Sequence, residues 1–391
     1  MGNWANLLPD ILLLILKKLI SSCEDFTGSV VFGEVCTSWR SIYIQGKDLI
    51  KQLPPQVIWL MLAEEEDTNK RGFFSLAKGN TRYLQLPEAQ GKFCFSFPQG
   101  WLITAGEDFG LNLLHLLSRV QFQLPNLRTV PESALENTSF PMVINRALLT
   151  ANPSLTSDFK VIIVFDSDRL AFAKLGDNAW TVIKETHSFS DVTCYEGNIY
   201  GLNWRGYIWV CDIEGSEPKA TILFRIQVER FVPHIERAYL VESSGKLLAV
   251  LRIGVEAMFE SGVIRTYEGT EIYAYGTTQF LVFELNISNR SWTRLESLEN
   301  RALFVGHNSS ISVNAWSICG CKANSIYFTD DTEDFYVIEN GAYGLYSDLT
   351  ERGGGRDMGV WNMVDGSIEP LFNPPSYCRV APPLWVFPNF P

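Results

Sequence analysis

The chain contains 391 residues and carries 44 acidic against 32 basic side chains, which gives a formal net charge of −12 at pH 7. Proteins that bind nucleic acid take much of their affinity from Lys and Arg on phosphates, so this balance argues against such a partner. The longest wholly aliphatic run, Ile11–Leu16, is too short to cross a membrane, and the N-terminus lacks the basic start of a signal peptide. Together with eight cysteines at irregular spacing, these features predict a protein of the cytoplasm, the nucleus or both, with its thiols reduced.

The first predicted element is a helix from about Pro9 to about Ile20. Pro9 suits the first turn because its missing N–H would have no partner there, and Lys17 and Lys18 favour the C-terminal end of the helix dipole. The run Ile11–Leu16 is aliphatic at every position and must therefore cover the whole circumference of the helix. Such a helix needs apolar partners on two sides.

A second apolar stripe follows and can cover one of these sides. Val31, Val35, Trp39 and Ile42 recur at intervals of four, four and three residues, so they line up on one helix face. So short a helical pair buries too little surface to be stable by itself. Its remaining apolar face predicts a contact with either the following domain or a second protein.

This helical segment resembles an F-box, the module by which substrate receptors dock on the Skp-type adaptor of SCF ubiquitin ligases. The most specific part of the resemblance is Val35-Cys36-Thr37-Ser38-Trp39-Arg40. The resemblance implies an F-box over residues 1–48, with the adaptor and through it a cullin as partners. A helical hairpin that only caps the following domain is the alternative. The residues that the resemblance assigns to adaptor binding are Leu7, Pro9, Leu12, Ile15, Leu19, Val31, Val35, Cys36 and Trp39, and the sequence does not divide them into inward and outward positions.

From Pro54 onward, short runs rich in Val, Ile, Phe, Tyr and Trp alternate with turn residues, which predicts a mainly antiparallel all-β domain over residues 54–391. A weak repeat places Trp-Thr shortly after a strand, once at Trp180 and again at Trp292. At a period of roughly 40 to 50 residues, this stretch predicts a β-propeller of six or seven blades. A two-sheet sandwich is the alternative, but its usual size is too small for this stretch.

The β-rich region resembles the plant F-box proteins whose C-terminal half is a kink-suppressor-type β-propeller. Its most specific elements are Arg301-Ala302-Leu303-Phe304 and Ile326-Tyr327-Phe328-Thr329-Asp330-Asp331. The chain departs from the family at Asn300, where Asp is usual, and at His115-Leu116, where Asn-Pro is usual, which leaves the local turn geometry open. The resemblance implies a propeller that binds a target protein for ubiquitination, and family analogy makes a kinase one candidate for that target.

Patterns for catalysis or metal binding are weak. The four histidines are dispersed, so none forms a helical metal-binding pair, and no Gly-x-Ser-x-Gly nucleophile turn occurs. Asp330, Asp331, Glu333 and Asp334 could hold Ca²⁺, but they lack the glycine and the spaced glutamate of a calcium loop, so we expect a solvated acidic turn. His307 is expected to be a packed or hydrogen-bonded turn histidine. We therefore predict no catalytic, cofactor-binding or metal-binding residues.

These observations favour a non-catalytic substrate-recognition subunit of an SCF-type ubiquitin ligase, which would hold a target near the transfer machinery. One alternative is a propeller that serves as an interaction scaffold without ubiquitin transfer, and adaptor binding distinguishes the two. Another is a kelch-type propeller enzyme, which would need a copper site that four dispersed histidines do not favour.

Overall fold

The fold is described from a computed structural model of the chain. The residues described are 7–21, 32, 35–45, 58–65, 69–130, 144–165, 169–186, 188–231, 235–254, 263–267, 270–273, 276–331, 337–339, 342–344, 355, 357–372, 376, 378 and 381–388.

Two described helices precede the β-rich part of the chain. Helix α1 spans Pro9–Ser21 and helix α2 spans Thr37–Gln45. Helix α1 begins at Pro9 as predicted, and Asp10 lies in its first turn, where a carboxylate complements the positive end of the helix dipole. Neither of these described helices is long and apolar enough to cross a membrane.

The described strands form a six-bladed β-propeller, which confirms the predicted all-β architecture and gives the lower of the two expected blade numbers. Blade 1 consists of β1 (Trp59–Met61), β2 (Lys70–Ser75), β3 (Thr81–Gln85) and β29 (Leu384–Val386). Blade 2 consists of β4 (Phe93–Ser96), β5 (Trp101–Ala105), β6 (Leu111–His115) and β7 (Gln121–Gln123). Blade 3 consists of β8 (Ile144–Leu149), β9 (Lys160–Phe165), β10 (Arg169–Lys174) and β11 (Thr181–Val182).

The second half of the propeller contains a longer blade. Blade 4 consists of β12 (Phe189–Tyr195), β13 (Asn198–Asn203), β14 (Tyr207–Asp212) and β15 (Lys219–Arg225). Blade 5 consists of β16 (Arg237–Ser243), β17 (Lys246–Gly254), β20 (Thr277–Asn286) and β21 (Ser291–Leu295). Blade 6 has five strands, β22 (Arg301–Val305), β23 (Ile311–Asn314), β24 (Ser325–Phe328), β27 (Gly359–Asn362) and β28 (Ile368–Pro370), and its β22–β24 pair is parallel.

An additional sheet is built from insertions in two blades. It contains β18 (Val263–Tyr267) and β19 (Thr270–Tyr273), which lie in the chain between β17 and β20 of blade 5. It also contains β25 (Val337–Glu339) and β26 (Ala342–Gly344), which lie between β24 and β27 of blade 6. We call these four strands the insertion sheet. Because β19 pairs with β25, the insertion sheet joins blade 5 to blade 6 outside the sheets of the two blades.

The ring closes when the last strand pairs with the first. Strand β29 runs antiparallel to β1, with Val386 opposite Trp59 and Leu384 opposite Met61. The hydroxyl of Ser96 in blade 2 donates to the carbonyl of Trp385. The C-terminal strand therefore completes blade 1 and contacts blade 2.

The core lies between neighbouring blades because the side chains of each strand alternate between its two faces. In β22, Ala302 and Phe304 pack toward blade 1, whereas Leu303 and Val305 pack toward blade 5. The ring of Phe304 lies edge-on to Trp385, with centroids 5.0 Å apart. The repeated tryptophans also join elements: buried Trp180 of blade 3 donates its indole N–H to the carbonyl of Pro125 at 2.9 Å.

We expect Trp385→Ala to destabilise the propeller, because it removes a fully buried indole at the ring closure. Large-to-small changes of this kind cost about 3–5 kcal/mol of unfolding free energy. Chemical denaturation measures the loss, and Trp316→Ala is the control because Trp316 is 82 % exposed. The control should change stability by no more than about 0.5 kcal/mol. Equal losses in the two variants would contradict a core closed by β29.

Candidate functional site

The helix pair has a small apolar core of its own. Leu12 and Leu16 of α1 pack against Phe32, Trp39 and Ile42. The ring centroids of Phe32 and Trp39 are 4.5 Å apart. Of the four residues expected to form one stripe, Trp39 and Ile42 are therefore buried against α1. The expectation is wrong for Val35, which is 50 % exposed because α2 begins only at Thr37, and Val31 lies outside the described residues.

Five of the predicted adaptor-binding residues face this core. Leu12 and Trp39 are buried in it, and Leu7, Ile15 and Cys36 are partly buried against it. These side chains hold the two helices together. Their contribution to a partner surface is therefore mainly to fix its shape.

The other four predicted residues fall into two groups. Pro9 and Val35 are exposed and can contact a partner directly. The side chain of Leu19 lies outside the described residues, although its backbone belongs to α1. Val31 also lies outside the described residues.

An exposed apolar row runs along α1, and it was missing from the predicted set. Leu8, Ile11 and Leu14 recur every three residues and are 67, 42 and 65 % exposed. The signal that could have identified them is the aliphatic run Ile11–Leu16, since a helix with one apolar face buried must turn its other aliphatic side chains outward. We call Leu8, Ile11 and Leu14 the outer apolar face.

A second candidate region lies in the propeller, where four strand ends of blades 5 and 6 meet at a buried ion network. Arg252 in β17 donates to Asp331 Oδ1 at 2.8 Å and to Asp357 Oδ2 at 2.6 Å. Asp357 Oδ2 also accepts the N–H of Thr277 at 2.8 Å. Asp331 follows β24, Asp357 precedes β27 and Thr277 opens β20. The network therefore ties together the four places where the insertion sheet leaves the blades.

Arg146 of β8 connects blade 3 to the same network. Its Nη2 donates to Asp331 Oδ2 at 2.5 Å, and its guanidinium carbon is 5.5 Å from the centroid of the Tyr239 ring. The hydroxyl of Tyr239 donates to Asp331 Oδ1 at 2.9 Å, and Arg237 donates its Nε–H to the backbone carbonyl of Asp331 at 2.9 Å. Asp331 thus links its own blade 6 to blade 3 through Arg146 and to blade 5 through Tyr239 and Arg237.

The acidic segment that begins at Asp330 is not the solvated turn expected from its composition. Asp330 and Asp331 are fully buried, and Asp330 Oδ2 accepts the N–H of Gly355 at 2.9 Å. The prediction is therefore wrong for these two residues, because the arginines that pair with Asp331 lie far away in the chain and a local pattern cannot reveal them. Glu333 and Asp334 lie outside the described residues.

The ionised form of the Asp331 carboxylate is stabilised by the arginines around it. Burial by itself would raise the pKa of its carboxyl, but Arg146, Arg252 and Arg237 hold that pKa well below its usual range. Both carboxylate oxygens accept hydrogen bonds from buried donors. The arrangement therefore favours a structural role for this carboxylate over proton transfer.

The segment from Gly306 to Ser310 joins blades 2, 4 and 6. Ser309 donates its N–H to the carbonyl of Ser96 at 2.8 Å, and Ser310 Oγ donates to Asp191 Oδ2 at 3.3 Å. Gly306 has φ +142°, and a Cβ there would lie 1.9 Å from Thr329 Oγ1, so only glycine fits.

His307 is buried within this segment, which agrees with the predicted packed turn histidine. Its ring meets Phe93 edge-on, with centroids 5.0 Å apart. Burial lowers the pKa of His307 to about 3, so the imidazole is neutral at neutral pH. A histidine in this state contributes packing to the junction of the blades.

Asp191 of β12 is a further buried carboxyl in the described part of the propeller, besides Asp330 and Asp331. It accepts the N–H of Leu240 at 2.9 Å and that of Val192 at 2.8 Å, and Arg146 Nε lies 3.9 Å from Oδ1. Burial raises the pKa of Asp191 to about 6, although Arg146 and these donors oppose the shift. Asp191 has one arginine nearby, Arg146, whereas Asp331 has three.

His115, one of the two departures from the family pattern, closes its turn by hydrogen bonds. Its Nδ1 accepts the N–H of Ser118 at 3.1 Å, and its Nε2 lies 3.0 Å from the carbonyl of Gln99. Because a carbonyl can only accept, Nε2 carries the proton. The imidazole therefore supplies both turn contacts.

We expect Asp331→Asn to destabilise the protein, because it removes the carboxylate that the buried guanidinium groups of Arg146 and Arg252 share and leaves Arg252 only Asp357 and Arg146 only the more distant Asp191. Breaking a buried pair in this way costs about 3–5 kcal/mol. The control is Glu217→Gln, which removes the exposed pair with Lys184 and should cost at most about 1 kcal/mol. Urea denaturation measures both changes, and a loss no larger than that of the control would show that the network does not hold the blades.

The stability difference between Asp191→Asn and the wild type should depend on pH. The folded-state pKa of about 6 lies above the unfolded value of about 3.9, so the wild type loses stability as pH rises through this window. His307, whose lowered pKa acts in the opposite direction, is present in both proteins. Between about pH 4 and about pH 7 the variant should therefore gain about 2 kcal/mol relative to the wild type. Denaturation across this range measures the difference, and a constant difference would refute the raised pKa.

The fold and its surfaces define a β-propeller protein with a helical pair at its N-terminal side and an exposed apolar row on the first helix. The family model described as KIB1-4 beta-propeller matches residues 73–362. The chain therefore belongs to the KIB1-4 β-propeller family, and the resemblance to plant F-box proteins with a kink-suppressor-type propeller is confirmed.

Its relatives include named F-box proteins of Arabidopsis thaliana. The chain is 26 % identical to F-box protein SKIP23, over 99 % of this chain and 96 % of that protein. It is 24 % identical to putative F-box protein At5g55150, over 84 % of this chain and 86 % of that protein. Among solved structures, the Cps50 (Swd1) β-propeller domain of Myceliophteria thermophila is 12 % identical with a TM-score of 0.35, and the match covers 83 % of this chain and 91 % of that one.

Proposed function

We propose that this protein is the substrate-recognition subunit of an SCF-type ubiquitin ligase. In this proposal residues 1–48 form an F-box that docks on a Skp-type adaptor and through it on a cullin, and residues 54–391 form the propeller that binds the target. The observation that carries the proposal is the outer apolar face of α1. It belongs to a chain whose propeller is matched by relatives named F-box proteins.

The outer apolar face has the character of a protein interface. Leu8 and Leu14 each leave about two thirds of their surface in solvent although the helix already has a buried core beneath them. Burying such side chains against a partner contributes roughly 25 cal/mol per Å² of apolar surface. The predicted residues Pro9 and Val35 are also exposed, whereas Leu12, Ile15 and Trp39 belong to the core beneath α1.

The propeller's part in this proposal is to hold a target and not to make or break bonds. The buried carboxylate of Asp331 and the neutral imidazole of His307 are committed to contacts between blades. A receptor that binds adaptor and target at once raises the target's concentration near the transfer machinery.

The test is co-expression of the full chain with a plant Skp-type adaptor, followed by size exclusion and a binding titration. Leu14→Asp should weaken the complex by at least about 100-fold, because it forces a carboxylate into an apolar interface. The control is Val364→Asp, which makes a similar change at an exposed site of the propeller and should leave adaptor binding unchanged.

Circular dichroism of each variant shows whether the propeller is folded. A folded wild type that forms no adaptor complex would overturn the proposal and favour the interaction scaffold without ubiquitin transfer. Equal weakening by Val364→Asp would show that the adaptor binds somewhere other than α1.

A further inference from the structure

The turn between β13 and β14 of blade 4 presents an aromatic ring and a guanidinium group side by side. Trp204 is 45 % exposed although it is one of the largest apolar side chains. The guanidinium carbon of the neighbouring Arg205 lies 4.6 Å from the centroid of the Trp204 ring. Tryptophan and arginine are the residue types most enriched among the energetic centres of protein interfaces.

A second arginine from the next strand extends this pair. The guanidinium carbon of Arg225 lies 5.1 Å from the centroid of the Tyr207 ring, and its Nε donates to the carbonyl of Arg205 at 3.0 Å. Arg225 Nη2 also donates to Glu229 at 3.0 Å. Arg230, which follows Glu229 in the chain, is exposed. Trp204, Arg205, Tyr207, Arg225 and Arg230 together are called the Trp204 surface.

The turn is rigid because buried polar contacts hold its backbone. Asn203 Oδ1 accepts the N–H of Arg205 at 3.1 Å and that of Tyr207 at 2.9 Å. Gly206 has φ +80°, and a Cβ there would lie 2.3 Å from the carbonyl oxygen of Ile226. A surface fixed in this way loses little conformational entropy when it binds.

The Trp204 surface lies at the same end of the blades as the roots of the insertion sheet. Strands β12 and β16 run in the same direction, since Asp191 contacts Leu240 and, further along, Tyr195 contacts Gly245. The turn after β13 is therefore at the end where β16 begins. Strand β17, which pairs with β16, also ends there and leads into β18.

Charge distinguishes this surface from the rest of the molecule. The surface carries three arginines, of which Arg225 pairs with Glu229, on a chain whose net charge is −12. Guanidinium groups bind carboxylate or phosphate groups through two parallel hydrogen bonds, and they also stack on aromatic rings. A neighbouring exposed indole adds an apolar contact for a side chain beside the acid.

We propose that the Trp204 surface binds an acidic segment of the target protein, one that carries aromatic or aliphatic residues among carboxylate or phosphate groups. This inference rests on the proposed function in one respect, namely that the protein bound at this surface is the target of the ligase. Binding of the acidic segment itself does not require the adaptor.

The test measures fluorescence anisotropy of labelled probe peptides with the full chain, at low and at high salt. The probes are a peptide that alternates glutamate with phenylalanine, the same peptide with phosphoserine in place of glutamate, and the same peptide with lysine. The first two probes should bind at low salt and weaken at high salt, and the lysine peptide should not bind. The acidic probe that binds with the higher affinity shows whether the surface prefers carboxylate or phosphate groups.

Arg205→Glu and Trp204→Ala should each weaken binding of the acidic probes by about 10-fold or more. Two controls make matching changes at the other end of the blades: Arg290→Glu, at the exposed turn after β20, and Trp316→Ala, after β23. Both controls should leave affinity within about twofold. Each substituted residue is at the surface, so thermal denaturation should show unchanged folding.

The proposal is overturned if no acidic probe binds, if Arg290→Glu weakens binding as much as Arg205→Glu, or if only Trp316→Ala weakens it. Failure here is distinguishable from failure of the ligase proposal. The adaptor complex is measured separately, and Leu14→Asp should leave probe binding intact.

Discussion

The propeller depends on the placement of the Asp331 carboxylate between Arg146 and Arg252. Each of these charges would be costly to bury by itself. Each arginine has the Asp331 carboxylate within hydrogen-bonding distance, and that carboxylate accepts from both arginines. The three residues come from blades 3, 5 and 6, so the ions can pair only after those blades have assembled. The network therefore couples the closing of the ring to the position of the insertion sheet, because Asp357 and Thr277 at the roots of that sheet join the same arginine.

The sequence was sufficient for those features that short patterns encode. Aliphatic runs and aromatic-rich strands predicted a helical pair and a propeller, and Pro9 marked the beginning of α1 correctly. The sequence could not show which positions of the helix face inward and which face outward, because Ile11–Leu16 is aliphatic throughout. Only the position of Trp39 and Phe32 decides that Leu12 turns inward and Leu14 turns outward.

Long-range pairing explains the clearest error. Asp330 and Asp331 stand in a run of acidic residues that is typical of an exposed turn, and nothing nearby in the chain indicates otherwise. The burial of Asp331 follows from arginines in other blades, and Asp330 accepts the N–H of Gly355. The same reason applies to the Trp204 surface, since Arg225 reaches Tyr207 from a neighbouring strand and no motif connects them.

The molecule thus has two separate surfaces suited to proteins of different chemistry. The outer apolar face on α1 offers aliphatic side chains, and the Trp204 surface offers arginines stacked on aromatic rings. A rigid propeller core between the blades keeps the second surface in a fixed geometry. In the proposed function, the outer apolar face docks the adaptor and the Trp204 surface holds the target.

The central claim is that the chain holds two partners at the same time, and one titration tests it directly. The complex of the full chain with the Skp-type adaptor is isolated, and the acidic peptide probe is titrated into it by anisotropy. The account predicts the same probe affinity for the complex as for the free chain, with the adaptor still bound. Displacement of the adaptor by the probe, or loss of probe binding in the complex, would contradict it.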